Sequence, residues 1–292
     1  MPLLAAAVLF GSAFRGAVLR TSTLGGTLQR RGFATLSSAP PPPARLLLTS
    51  AGLTTPCLES TFRRMLQHAT DDGAGSPNIA MLVTAQLAPS STMTSPDRDQ
   101  DGNLIRKEVS KRSPGELRRR RWADARKKGR EIEQQLGVPV ECIDCVREKD
   151  LEDARAALST AGCIWVTGGN TFFLRHHLRA SGLDDLVRQR VVSDGALYVG
   201  ASAGSIVAGK SIRTALWKGW DDPAAAGDEV DWSAAGMYDA LGLVPDASFF
   251  PHYDAAAWKG LVDSQKSGLD HECIVLTDDG ESVYVAGDGE TT

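Results

Sequence analysis

Hydrophobic positions along the chain alternate between two patterns. Short apolar runs, several of them β-branched or aromatic, occupy Arg45 to Ser50, Asn78 to Ala85, Val138 to Cys145, Cys163 to Thr167, Ala196 to Ala201, Ser248 to Phe250 and Cys273 to Thr277. Between them lie longer stretches that read as helix: Leu58 to Ala69, Asp150 to Thr160, Thr171 to Arg179, Asp184 to Val192 and Ser205 to Lys210. One further helix has a marked start, with Ser113 at the N-cap, Pro114 at the first position and Glu116 placed to reach back to the cap N–H. Trp122, Ala125, Gly129, Ile132 and Leu136 then recur on one helical face, and Gly137 ends it. Residues 86 to 113 are polar and rich in Pro, Ser and Asp, and read as a long surface loop. Strands separated by helices predict βαβ units: an α/β fold with a mostly parallel sheet covered by helices on both faces.

Composition changes this picture only at the N-terminus. The chain has 292 residues, 42% hydrophobic and 23% charged, values that exclude a collagenous, disordered or disulfide-stapled chain. Its net charge of −4 joins unlike parts. Arg15, Arg20, Arg30, Arg31 and Arg45 all precede the first acidic residue, Glu59, among many Ala, Leu, Ser and Thr. An acid-free, Arg-containing leader is the pattern of an organellar transit peptide over residues 1–38. Arg30-Arg31-Gly32-Phe33-Ala34-Thr35 resembles the end of a mitochondrial presequence, with a plastid transit peptide as the competing reading. The apolar stretch Leu3 to Phe14 falls short of the roughly 20 residues that span a bilayer. A Pro-rich linker at 39–44 leaves 45–292 as a single domain, with a basic insertion at about 86–121. The five cysteines form no even framework and read as buried thiols; Cys142 and Cys145 make one C-x-x-C without the partners that complete a zinc site.

The candidate chemistry lies at Gly200-Ala201-Ser202-Ala203-Gly204, which follows an apolar strand and precedes a small-residue helix. Flanking glycines let the backbone turn sharply and thrust the Ser202 side chain out at the strand end. The N–H of Ala203, at the start of the helix, is placed to donate to a developing oxyanion. A serine nucleophile needs a base. His68, His176 and His177 fall in helices and His271 in a polar turn, whereas His252 ends an aromatic strand at Pro251, a position that suits the mouth of a pocket. The orienting acid is Asp278, which closes the last strand, or its neighbour Asp279; Asp221, Asp222 and Asp246 keep open an arrangement with the acid before the histidine. Gly168-Gly169-Asn170-Thr171 is a second strand-to-helix turn whose exposed N–H groups suit an oxyanion hole.

Taken together, Val166-Thr167-Gly168-Gly169-Asn170-Thr171-Phe172, Gly200-Ala201-Ser202-Ala203-Gly204, Ile212-Arg213-Thr214 and Pro251-His252-Tyr253 resemble the peptidase E family of aspartyl dipeptidases, serine peptidases related to cyanophycinases. The resemblance covers about residues 45 to 289. It implies a flavodoxin-like sheet of the class I glutamine amidotransferase type, a Ser, His, acid triad of Ser202, His252 and Asp278, and oxyanion N–H groups from Gly169 and Ala203. Asn170, Arg213, Trp217 and Asp279 are the candidate substrate contacts, and the implied partner is a short peptide, with no cofactor or metal. The loop Ala215 to Pro223 departs from the family's pattern, so a requirement for N-terminal Asp is not carried over. Two other readings are an ester or cyanophycin-like polymer hydrolase and a catalytically silent binding protein.

Between Arg98 and Arg130 stand 13 Lys and Arg, a run of the kind that binds nucleic acid. Glu116, Asp124, Glu131 and Glu133 interrupt it and Trp122 and Ile132 give its helix a buried face, which argues for a solvated helix surface and against nucleic-acid binding. Nothing in the sequence reports on oligomeric state.

Overall fold

A run of three leucines opens the fold. The computed structural model describes residues 44–89 and 113–287, and its first strand, β1 (Arg45–Thr49), is buried throughout. Leu46 and Leu48 pack into the core on one face of the sheet and Leu47 into the core on the other. The run is continuous for that reason: a central parallel strand has no solvent face. β4 (Ala161–Val166) divides in the same way, with Ile164 and Val166 on one side and Cys163 and Trp165 on the other.

With β2 (Ser76–Leu82), β3 (Val140–Ile143), β5 (Leu197–Ala201) and β8 (Tyr284–Ala286), these strands form a six-stranded sheet in the order β3-β2-β4-β5-β1-β8. The first five run parallel and β8 pairs antiparallel along the edge of β1. A separate two-stranded parallel sheet joins β6 (Ala247–Phe250) to β7 (Glu272–Val275), with Phe250 opposite Val275. On one face of the main sheet lie α1 (Pro56–Asp71) and α2 (Pro114–Leu136), which bring in Phe62, Met65, Ala125 and Ile132. On the other lie α3 (Glu148–Thr160), α4 (Thr171–Ser181), α5 (Leu183–Arg188) and α6 (Ala203–Ala208), through Leu158, Phe172, Leu178, Val187 and Val207. The last helix, α7 (Ala255–Gln265), joins β6 to β7. The α/β fold with a mostly parallel sheet agrees with the sequence reading. Among the described residues, no helix is long and apolar enough to cross a membrane.

Several boundaries differ from expectation. The second strand ends at Leu82, and Thr84–Leu87 form a 3-10 turn held by a hydrogen bond from Thr84 Oγ1 to Asp144 Oδ1 (2.8 Å). Leu87 and Ala88 are buried, so the expected surface loop does not begin at residue 86. The helix expected to run to Val192 is α only to Arg188 and closes in a π turn, Gln189–Ser193. By contrast, α2 starts where the sequence places it, at Pro114 with its capping box formed, so that residues 114–121 of the basic segment are its first turns. The four-arginine run is not wholly a solvated surface: Arg118 pairs with buried Asp144 and Arg121 donates to the Ala88 carbonyl. Cys57 is exposed, contrary to the reading of buried thiols. Cys142 and Cys145 pack on opposite faces of the sheet, and burial pushes the Cys145 thiol up to about 12, which separates the C-x-x-C as a working pair. The leader and linker through residue 43, and residues 90–112 of the insertion, lie outside the described residues.

Among the glycines of the described residues the tightest packing is at Gly204, where a Cβ would fall 2.1 Å from the Val166 carbonyl oxygen of β4. Gly204→Ala is expected to lower the unfolding free energy by about 1–3 kcal/mol, read from urea denaturation. A midpoint equal to that of the unchanged protein would show that α6 and β4 do not meet so closely.

Candidate active site

Neighbouring strands of the main sheet end side by side, and their first loop residues converge. β4 delivers Gly168 and Gly169, β5 delivers Ser202, and β1 delivers Ser50. Ser202 has φ 51° and ψ −110°, a conformation L residues rarely adopt. Local contacts hold it there. Its N–H donates to the Thr49 carbonyl (3.1 Å), and Ser205 Oγ, three residues on, donates to that same carbonyl (2.7 Å) while accepting from the Thr49 N–H (3.1 Å). Glycine is required beside it: a Cβ on Gly168 would stand 3.0 Å from Ser202 Cβ, and one on Gly200 would meet the Gly204 carbonyl at 2.8 Å.

The two-stranded sheet supplies the opposite wall. His252 follows β6 and Asp278 follows β7, and backbone pairing of the two strands continues from Leu276 N–H to Phe250 (3.0 Å) and from Tyr253 N–H to Leu276 (2.9 Å). His252 Nε2 lies 2.8 Å from Ser202 Oγ, and its Nδ1 lies 2.7 Å from Asp278 Oδ1. His252 also has a positive φ, 54°; among the described residues it and Ser202 are the only non-glycine residues that do. Such strain costs of order 1–3 kcal/mol per residue and persists only where the surroundings overdetermine it.

At His252 they do. Its N–H donates to Ser50 Oγ (2.7 Å), and its carbonyl accepts from Lys218 Nζ (2.7 Å), which also donates to the Pro251 carbonyl (2.6 Å). The Lys218 ammonium sits over the rings of Phe250 (4.3 Å), Trp220 (4.4 Å) and Trp258 (5.0 Å). Burial brings its pKa down to about 7, against the pull of Asp278. Burial likewise holds His252 below the ordinary imidazole value, partly offset by the Asp278 charge. For Asp278, burial pushes the carboxyl up, but the Ser50 hydroxyl and the imidazole outweigh it and leave the pKa below the usual range.

Ser202 stands between two cavities. The larger, about 320 Å³, is lined by Thr54, Gln86, Lys128, Trp165 and Gly168 among others. The smaller, about 30 Å³, lies between Ile206, Thr214, Lys218, Trp220, Asp221 and His252. The N–H groups of Gly169 and Ala203 donate to no other group among the described residues. Gly169 is pressed against the Thr84–Leu87 turn, where a Cβ would fall 2.3 Å from the Ala85 backbone.

The other sequence candidates sort by position. Asn170 is committed to structure, its Oδ1 capping α4 through the Phe173 N–H (2.8 Å) and its Nδ2 donating to the Asp222 carbonyl (3.0 Å). Asp279 turns away: its Oδ1 accepts from the Glu281 N–H (3.0 Å), and it is Asp278 that meets His252. Arg213 and Trp217 are not brought to Ser202. Arg213 lies over the Tyr238 ring (4.3 Å) and Trp217 against Phe250 (5.5 Å), and both face a different cavity. The 3-10 turn Arg213–Leu216 directs them outward, while Thr214 between them bonds inward to the Phe249 carbonyl (2.6 Å). Sequence reasoning missed Ser50 and Lys218, and it held Asp221 only as an alternative acid partner for His252; Asp221 instead bonds to the Thr171 N–H (2.9 Å). Ser50 carried one usable signal, a polar residue at the carboxyl end of the first strand, the edge at which open α/β sheets gather their sites.

Ser50→Ala removes the acceptor of the His252 N–H and one donor to Asp278. The expected loss is about 1–3 kcal/mol of stability, measured by urea unfolding, together with a changed ¹⁵N shift of the His252 ring nitrogens. An unchanged imidazole spectrum would separate Ser50 from the orientation of His252.

A doubly covered, mostly parallel sheet that presents a serine at a strand end to an imidazole and a carboxylate at the strand ends of a second, two-stranded sheet defines an α/β protein with a hydrolase-type site. The comparisons with known proteins give the family: the profile of peptidase family S51 matches residues 119–292, and the chain belongs to that family. It is 32% identical over 175 residues to an uncharacterized peptidase of Listeria innocua serovar 6a, covering 56% of this chain and 77% of that one. It is 40% identical over 101 residues to a probable alpha-aspartyl dipeptidase of Drosophila melanogaster, covering 35% of this chain and 37% of that one. The solved structure of a peptidase from an acI-B1 Actinobacterium shares the fold, with a TM-score of 0.51 over 80% of this chain and 79% of that one at 14% identity.

Proposed function

We propose that the chain is a serine-type peptidase that hydrolyses short peptides through an acyl-enzyme formed on Ser202. The observation that carries this reading is the relay from Ser202 Oγ to His252 Nε2 (2.8 Å) and from His252 Nδ1 to Asp278 (2.7 Å). With Nδ1 protonated toward Asp278, the Nε2 lone pair accepts the Ser202 proton as Oγ attacks the peptide carbonyl. The carbonyl oxygen becomes an oxyanion within reach of the Gly169 and Ala203 N–H groups, which are otherwise uncommitted; one such donor typically contributes about 3 kcal/mol. The imidazolium then protonates the departing amine, and water, deprotonated by the same His252, releases the acyl group.

Ser202→Ala in otherwise unchanged protein is expected to lower kcat/KM on a panel of dipeptides and tripeptides by roughly 10⁴-fold or more. Turnover retained by this variant would place the chemistry elsewhere. The base works only when neutral, and burial holds its pKa below the ordinary value of about 6.5. As pH falls, kcat/KM should therefore stay level until it drops below about 6.5 and then decline as His252 takes a proton. An acid limb centred above neutrality would identify a different base.

A further inference from the structure

A lysine stands against the backbone of the base with no carboxylate beside it. Lys218 lines the small cavity of about 30 Å³ together with Ser202 and His252. Among the described residues no Asp or Glu lies at ion-pair distance from its ammonium, and Asp278 attracts it only from further off. Two of its three N–H groups go to the Pro251 carbonyl (2.6 Å) and the His252 carbonyl (2.7 Å), with the rings of Phe250, Trp220 and Trp258 around the charge. Withdrawing an ammonium from water for two backbone acceptors is unfavourable, and the ring faces offset part of that cost. Groups held in this way gather at functional sites.

The two carbonyls say what the ammonium does. Along an extended strand successive carbonyls point to opposite sides, so one nitrogen cannot reach both. They converge on Nζ because the residue between the two peptide planes, His252, leaves the strand with φ 54°. Relaxation of His252 to an extended conformation would turn one carbonyl away and lose its bond to the lysine. Lys218 is itself tied to the strand that carries His252: Thr214 Oγ1, in the preceding turn, donates to the Phe249 carbonyl of β6 (2.6 Å). The N–H groups of Trp217 and Gly219, on either side of the lysine, close on the Thr214 carbonyl (3.2 Å) and the Leu216 carbonyl (3.1 Å). We propose that Lys218 is a positioning residue for the base: by gathering two consecutive carbonyls it locks the backbone turn that aims the His252 imidazole at Ser202. This inference rests on the serine-peptidase reading above. The same ammonium disfavours a second positive charge on the imidazole, against the pull of Asp278.

The test measures kcat, KM and their pH dependence on the dipeptide and tripeptide panel for the intact chain, its Lys218→Met variant and its Ser202→Ala variant. Methionine keeps an unbranched stem among the rings and removes both the donors and the charge. In Lys218→Met, kcat should fall by roughly 30-fold or more, the scale of a misaimed reacting group, while KM stays within about threefold. The acid limb of kcat/KM should move to higher pH, because the cation that opposes the imidazolium is gone and Asp278 remains. That limb lies below about 6.5, where Lys218, with a pKa of about 7, is largely charged. Ser50, Ser202 and Trp220, which also face the ring, are neutral, and Asp221 of the same cavity is present in both proteins, so the displacement between the two profiles reports on Lys218. A kcat within about threefold of the unchanged enzyme, a loss confined to KM, or an acid limb that stays in place overturns the proposal. Should the variant fail to fold, ¹⁵N NMR of the unchanged protein decides: a Lys218 ammonium signal protected from water and shifted by the rings supports the contact, and one that exchanges as fast as exposed lysines overturns it. Hydrolysis that persists in Ser202→Ala overturns the serine-peptidase reading itself, whereas hydrolysis abolished there and unimpaired in Lys218→Met overturns the positioning role alone.

Discussion

The contact between Ser202 Oγ and His252 Nε2 crosses from one sheet to another, and the site depends on that crossing. The serine is a strand end of the six-stranded sheet, and the imidazole and its carboxylate are strand ends of the two-stranded sheet. A hydrogen bond tolerates only a few tenths of an ångström of error, so both sheets must be held in register at the point where they meet. β1 does much of this work. Thr49 anchors the turn at Ser202 through its carbonyl, and the next residue, Ser50, bonds to the His252 N–H and to Asp278. Two consecutive residues of one buried strand end thus reach both halves of the relay.

Backbone strain is concentrated at the candidate site. Ser202 and His252 adopt backbone conformations that cost free energy, and each is surrounded by hydrogen bonds that leave it little alternative. For Ser202 the constraint comes from glycines and from Ser205; for His252 it comes from Ser50 on the amide side and Lys218 on the carbonyl side. Lys218 is the less usual element, an ammonium caged by three aromatic rings and spent on two backbone carbonyls. Asp278 pulls on that ammonium, and Asp221, bonded to the Thr171 N–H at the start of α4, lines the same small cavity as Lys218 and Ser202.

Much of the fold was legible because its strands are buried on both faces and its helices on one. Continuous apolar runs and a three-to-four periodicity follow directly from those two kinds of burial, and the capping box before α2 marked its start to the residue. The strand-turn-helix around Ser202 was legible for a similar reason: the sharp turn demands small residues, and these are visible as a local motif. Arg213 and Trp217 were misplaced because a loop position says nothing of direction. A 3-10 turn there sends them to the Tyr238 and Phe250 rings, away from Ser202. Between Asp278 and Asp279, composition could not choose; the backbone turn after β7 presents the first to His252 and ties the second to Glu281.

By itself, then, the sequence determined the α/β class, the order of its elements apart from α7 and the edge strand β8, the elbow at Ser202 and the short set of histidines and acids from which a base and its partner could come. Each of these depends on residues near one another along the chain. Only the tertiary structure decided that Ser50 supports His252, that Lys218 stands among aromatic rings, and that Asp221 lines one cavity with Ser202. Those relations join positions as far apart as 50 and 278. They are set by how parallel strands bring their carboxyl ends together, a distance that no local pattern records.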